Sequence, residues 1–495
     1  LLLGNKIPGN LGHVQQLAAL ETRCQRFFGM HIYEDFDMIL NLAVSDSSRS
    51  ALFSFTHGID TDARLWREEI DVQLAWIQAL AALGTISTEE SNQVKVALLE
   101  AAEKLASDLF PWSIEDEDIH MNLERFVSER CGELGSRIHL GRSRNDLIAT
   151  TLRLFCSRQA MDTATLIKKL ITTLVQQSRD WLDIIAPGLT HMQAGQPVRL
   201  GHIMAAHGFA LRRDAERLLH VSASSLEECP LGAAAFAGTH LSIDLPGLAT
   251  SLGFDGPLRN SYDAVGDRDA ILDLLNALAT LGVHLSRLCQ EVVYASSTAV
   301  DLLQLPRDFS TGSSIMPNKR NPDVFELVRA KMARVIAAAS EGSMIVREVH
   351  PSYGTDLHEL KRTLLRSLDE TRSSIEILIP TVAGLRANPE SSQRLLLKGH
   401  ILGTEIANAL VEKRNIPFRD AYRLTAEWIT QAESEGKQIH EVAAAHLDMK
   451  ISFEDAVEAR NGAGGTARSQ TLHSLEWLGR WATANAAKPD PVVKD

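Results

Sequence analysis

Three polar stretches interrupt a helix-rich chain and bring together side chains that could do chemistry. The longest covers residues 310–329, STGSSIMPNKRNPDVFELVR. Gly312 frees the backbone there. Pro317 and Pro322 fix φ and remove donors, and the residues before them, Met316 and Asn321, are driven out of the helical region. The stretch is therefore a shaped loop. It leads into a helix with Pro322 just inside the start and Asp323 and Glu326 in the first turn, where acids suit the dipole. Ser313, Ser314, Lys319 and Asn321 place hydroxyls, a cation and an amide at a helix start. Such a set can hold an anion or a developing oxyanion; an ordinary loop would only connect two elements.

The second stretch, HLGRSRND at residues 139–146, offers Ser143, Arg144 and Asn145 at the start of a long helix. Arg144 can grip a carboxylate through two hydrogen bonds; the plainer reading is a helix cap with a surface arginine. The third, PGLTHMQAGQP at residues 187–197, sets Thr190, His191, Gln193 and Gln196 between turn-forming residues. It reads as a loop in which His191 can carry protons near neutral pH, or as a site for a buried, hydrogen-bonded histidine. Together the stretches suit an anionic substrate and a reaction that moves protons and develops oxyanion charge.

Long helices must position these groups. Apolar residues recur with helical spacing over residues 62–83, and Ser87 or Thr88 with Glu90 marks a helix start after it. Residues 144–182, 201–226, 267–298, 323–348 and 357–378 read as long helices. The third of these keeps Ile271, Leu274, Leu278, Leu281, Leu285 and Leu288 near one face for about 45 Å. Helices of that length ask for an extended bundle and for packing between subunits. After IPTVAGLRANPE, residues 379–390, the helices shorten, which marks a C-terminal domain.

Composition bounds the rest. The 495 residues are 45% hydrophobic, 23% charged and only 5% aromatic, ordinary for a globular chain and leaning to helix. The net charge of −13 argues against a general nucleic-acid binder. No apolar run is read as long enough to span a membrane, and LLLGNKIPGN is not read as a signal peptide. Five scattered cysteines without a CxxC pair point to a reduced, cytoplasmic setting. No metal-binding or nucleotide-binding motif occurs, so no cofactor is expected.

The first stretch resembles the pattern GSSxMPxKxNP of the fumarase/aspartase superfamily, with Gly312, Ser313, Ser314, Met316, Pro317, Lys319, Asn321 and Pro322 matching. Within it the chain is most similar to the argininosuccinate lyase family, on DEDIHMNLER, GRSRND, PGLTHMQ, PLGAAAFAG, NSYDAVGDRD and GGTARS. The similarity runs from about Gly58 to about Trp481; residues 1–50 are unfamiliar. The resemblance implies an all-α, three-domain fold divided at 1–141, 142–373 and 374–495, whose long central bundle forms a 20-helix core in a homotetramer. It implies a carbon–nitrogen lyase of the amidine-lyase type that releases fumarate through an aci-carboxylate intermediate, with sites shared among three subunits.

Carried over, Ser313 is the base on a mobile loop, and Lys319 and Asn321 stabilise the dianion. His191 assists with protons, oriented by Glu326. Ser143, Arg144, Asn145 and Thr190 bind carboxylates, and Tyr353 and Lys361 hold the amine side. Arg268 supports the site, and Gln193, Ser314, Met316 and His358 join the substrate-binding set. The chain departs from the family pattern at Gly58 (usually serine), His358 (usually glutamine), Leu360 (an acid), Leu140 (threonine), Ala194-Gly195 (Arg-Ala) and Leu245 (arginine). Lost polar partners leave substrate groups unpaired. Three readings follow: an argininosuccinate lyase; a related lyase of another N-succinyl amine such as ethylenediamine disuccinate; or a non-catalytic, crystallin-like protein.

Overall fold

The structure, a computed structural model, describes residues 46–447 and 449–484; most of the unfamiliar N-terminal segment lies outside them. The chain forms two compact units. The first comprises residues 1–57 and 113–118, and its described part is a helix, Asp46–Thr56, and a single 3-10 turn, Ile114–Asp116. The second holds the remaining residues.

In the second unit, helices α1 (Trp66–Ala82), α2 (Thr88–Ala106) and α3 (Ile119–Cys131) surround an apolar cluster built on Trp76, Leu98 and Phe126. Leu231, Leu248 and Leu147 complete that cluster from later in the chain. The start of α2 is the expected capping box, Ser87 with Glu90.

Five long helices follow: α4 (Arg144–Asp180), α5 (Leu200–Ser224), α6 (Asp269–Ala295), α7 (Asp323–Val346) and α8 (Leu357–Ala383). They share one core, with Leu170, Leu211, Leu278, Phe325 and Leu378 all buried in it. Their limits lie close to the periodic pattern, except that α8 runs five residues past the expected end. Pro380 removes one helical N–H, but buried Leu378 and Val382 hold the last turn in the core.

Helix α6 corrects another expectation. Its most apolar 18 residues have a mean hydropathy of 1.2, and by length and composition it could cross a membrane. Its leucine face is instead buried in the shared core. Six shorter helices close the described chain: Pro389–Leu396, α9 (Gly403–Arg414), α10 (Phe418–Glu435), α11 (Ile439–Leu447), Phe453–Glu458 and α12 (Arg468–Thr483). Of these, α9, α10 and α11 enclose a separate cluster around Ile406, Leu410, Trp428 and Val442.

The helix order turns the bundle into two distinct ends. Ser157 in the first half of α4 donates to the carbonyl of Ser222 at the end of α5 (2.9 Å), and Arg153 pairs with Asp267 before α6. Gly266 lies against Ser352 in the α7–α8 connection. The starts of α4, α6 and α8 and the ends of α5 and α7 therefore share one end. At the other, Gln177 near the end of α4 donates to the carbonyl of Ala383 (2.6 Å), and Asn388 N donates to Leu302 O (2.9 Å).

Candidate active site

At the first end, Ser143 caps α4. Its hydroxyl accepts from Asn145 N (3.3 Å), and Asp146 accepts from Ser143 N (2.9 Å), a second capping box. The other oxygen of Asp146 accepts from Gly232 N (3.0 Å) and Ala234 N (2.8 Å), and Asn145 Nδ2 donates to Ala235 O (3.1 Å). The loop 230–238 is thus fastened over the helix start. Burial pushes the Asp146 carboxyl up to about 6, against the lowering effect of these amides. Arg142, also buried, donates to Gln73, which donates to Glu69 (2.7 Å). Glu69 pairs with His120 (2.8 Å) and accepts from Thr151 (3.1 Å). Burial alone would raise its pKa; His120, Gln73 and Arg142 outweigh that and hold it below the usual range. Half-buried Arg144 reaches the Met121 sulfur at 3.1 Å.

The same end holds the residues expected on the amine side. Half-buried Tyr353 and His358 share a 2.6 Å hydrogen bond between Oη and Nε2. Lys361 is buried in an ion pair with Asp62, itself 1% exposed. Gly58 lies beside that pair: a Cβ on it would stand 3.1 Å from Asp62 Oδ2 and 3.6 Å from Lys361 Nζ. Arg268 is buried and donates to the carbonyls of Val265 (3.1 Å) and Asp267 (2.6 Å), so it braces the turn before α6. Burial pulls its pKa down to about 10, partly offset by Asp267. The other departures are mostly packing positions. Leu360 is buried in the core, Leu245 packs against the α1–α3 cluster, and Leu140 offers only its carbonyl, to Trp76 (3.2 Å).

At the opposite end, residues 187–197 are not a loop but most of an antiparallel hairpin, β1 (Ile185–Thr190) and β2 (Gln193–Arg199). Thr190 pairs with Gln193, which leaves His191 and Met192 as a two-residue tip with φ of 54° and 59°. A two-residue hairpin turn of this kind needs positive φ at both central residues, and non-glycine residues there carry a local strain cost. Thr190, His191 and Gln193 are all exposed.

The 310–321 loop stands at this end too. Its base is closed by a bridge between Thr311 and Asn321, with Asn321 N donating to Thr311 O (2.9 Å), and by Asp323, which accepts from Thr311 N (3.1 Å) and Oγ1 (2.6 Å). The Thr311 hydroxyl is the main reason the Asp323 carboxyl lies below its usual range. Ser313 is half-buried, and its Oγ accepts from the amides of Ile315 (3.3 Å) and Met316 (3.2 Å). Those N–H groups point at the atom that must carry negative charge if the serine is a base. Ser314, Met316, Lys319 and Glu326 are exposed, with Glu326 on the first turns of α7.

One chain does not assemble all of these groups. Ser143 and the His191 hairpin flank the 37-residue α4, a separation of about 55 Å at 1.5 Å per residue. The Ser313 loop and Tyr353 flank the 24-residue α7, about 36 Å apart. Among the described residues no hydrogen bond or ion pair joins His191 to Glu326 within the chain. Sequence reasoning missed Asp62, Asp146 and Asp323. The Ser143-x-x-Asp146 spacing is a readable capping pattern, whereas the Lys361 partnership of Asp62 spans almost 300 residues and left no local signal.

Comparison with known proteins places the chain in a family. The chain matches the lyase family over residues 45–337 and the argininosuccinate lyase C-terminal family over residues 400–461. It is 37% identical over 435 residues to the argininosuccinate lyase of Thermus thermophilus, covering 85% of this chain and 94% of that one. It is 35% identical over 446 residues to the argininosuccinate lyase of Methylibium petroleiphilum, covering 86% and 95%. EDDS lyase in complex with formate has the same fold, with a TM-score of 0.74 at 24% identity over 85% of this chain and 86% of that one. With the lyase family matched over more than half of its length and such relatives along most of it, the chain belongs to the argininosuccinate lyase family and has the all-α fumarase/aspartase-type fold.

Proposed function

We propose that the protein is a carbon–nitrogen lyase that splits argininosuccinate reversibly into arginine and fumarate. The observation that carries this is the Ser313 hydroxyl held by two backbone amides in a loop rich in further cations and amides. A neutral serine is a poor base, and donors aimed at its oxygen favour the alkoxide. The alkoxide takes a proton from the carbon next to a succinyl carboxylate. The electron pair moves into that carboxylate as an aci-carboxylate dianion, stabilised by Lys319 and Asn321. Collapse of the dianion breaks the C–N bond, and a proton delivered with help from His191 lets the guanidine leave. Ser143, Arg144, Asn145 and Thr190 hold the carboxylates. Tyr353, His358 and the Asp62–Lys361 pair line the amine side.

The separation of these groups along α4 and α7 supports a homotetramer whose sites each draw on three subunits. Separate apolar clusters around Trp76, in the long-helix bundle and around Trp428 support three parts. Unpaired Cys131, Cys156, Cys229 and Cys289 support a cytoplasmic setting.

A second reading rests on Gly58 and His358: a missing hydroxyl beside Asp62 and Lys361 and an imidazole on Tyr353 suit a different amine, as in a lyase of ethylenediamine disuccinate. Fumarate release, followed by ultraviolet absorbance with each substrate in parallel, separates the two. Turnover of argininosuccinate supports the first reading; fumarate from the diamine substrate alone replaces it with the second.

A further inference from the structure

The strained His191 tip is exposed, and the other end of its hairpin is held by an unusual anchor. Arg199, the last residue of β2, has a side chain 1% exposed. Its guanidinium donates to the carbonyl of Leu182 (3.0 Å) and to two carboxylates of one short helix, Glu454 (2.6 Å) and Glu458. Its backbone N–H donates to Thr466 Oγ1 (2.9 Å). The bond from Arg199 is the leading reason that Glu458 lies below the usual carboxylate range. The opposite strand is fixed as well, since Ser392 Oγ donates to Ile185 O and Ile185 packs with Leu396, Ile401 and Val457.

We propose that Arg199 is a positioning residue for the reaction: by locking the hairpin base to the C-terminal helices, it sets where the His191 imidazole stands. The inference rests on the assignment of His191 to proton transfer. The hairpin is a lever of about 20 Å from Arg199 to the tip, at 3.3 Å per residue. A tilt of about 10° at the base moves the tip by about 3 Å over that length, and a misplacement of about 1 Å at a reacting group can cost about 100-fold in rate. Nearer the tip the described contacts are lighter: Ala194 packs against the Leu396 and Ile401 cluster, and Gln196 Nε2 donates to Glu405 (3.3 Å), so Arg199 is the buried polar anchor of the hairpin. Arginine suits the task because its planar fork can bond a carbonyl and two carboxylates at once, and a buried cation left without them would be costly.

The test is a double-mutant cycle on the intact enzyme, with fumarate release as readout and light scattering and circular dichroism to verify assembly and fold. Arg199→Met and, separately, the pair Glu454→Gln with Glu458→Gln should lower kcat by about 10- to 100-fold with KM changed less than about twofold, and Arg199→Lys should recover part of it. In a His191→Ala background, Arg199→Met should cost nothing further. An equal additional loss in that background would overturn the proposal, as would an unchanged kcat in both the Arg199→Met and the glutamine variants. If Arg199→Met does not fold, the glutamine pair decides alone, since Glu454 and Glu458 are half-exposed partners at the surface. Full turnover by His191→Ala itself would remove the assignment on which the inference rests, a distinguishable failure.

Discussion

The two ends of the helical bundle are built by opposite rules. At the Ser143 end the polar groups are buried and linked to one another: Asp146 takes three backbone amides, Arg142 and Glu69 lie in a closed chain of donors and acceptors, and Lys361 is sealed against Asp62. At the Ser313 end His191 and Lys319 are exposed and Ser313 is half-buried; the loop is closed by Thr311 and Asp323, and the hairpin is anchored by Arg199, with Gln196 and Ala194 nearer its tip. The difference matches the two tasks. A carboxylate or amine is recognised by donors that are already in place before it arrives. In the proposed mechanism the base and the proton carrier approach a substrate held by another subunit, which suits groups placed on an exposed loop and a hairpin tip.

Each end can be broken separately. The largest effect is expected from Ser313→Ala, which should lower kcat by about 10²- to 10⁴-fold while leaving the assembly intact by light scattering; unchanged turnover would remove Ser313 from the role of base. Asp146→Asn keeps one acceptor oxygen, so its NH2 must face either Ser143 N or the Gly232 and Ala234 amides. It should raise KM by about 10- to 100-fold and lower the melting temperature, because at least one of these backbone amides loses its acceptor. A loss confined to kcat would mean that this end does not serve binding. Asp323→Asn weakens the closure of the loop base, and about a 3- to 10-fold fall in kcat at constant KM is expected. A rise in KM instead would place that loop among the binding groups.

The smallest and most specific effect concerns pH. Because the Asp146 pKa is raised, to about 6, its protonated form is favoured by folding. The resulting stability, about 3 kcal/mol for a shift of this size, is fully present below about pH 4 and is lost as pH rises through about 6. Unfolding free energies of wild type and Asp146→Asn measured across that range should differ in slope accordingly, and parallel curves would contradict the burial of this carboxyl as the cause.

Much of this was readable in advance. Helix α4 starts at Arg144 because Ser143 and Asp146 form a local cap, and α6 keeps its leucines on one face because their spacing is helical. The composition of the 310–321 loop announced an anion-handling turn, and its pattern, with GRSRND, pointed to the family. The hairpin was read as a loop, because its Gly- and Pro-rich strands lack an alternating apolar pattern and its ladder exists only through pairing.

What the sequence by itself determined is therefore local or periodic: helix type and extent, caps, the inventory of reactive groups, and the family pattern they form. Tertiary structure alone decided that Asp62 belongs to Lys361, that Arg199 belongs to Glu454 and Glu458, and that Ser143 and Ser313 stand at opposite ends of the bundle. Those partnerships depend on how rigid helices tens of ångströms long are stacked, and no short-range preference of the chain records which distant residue a helix end will meet.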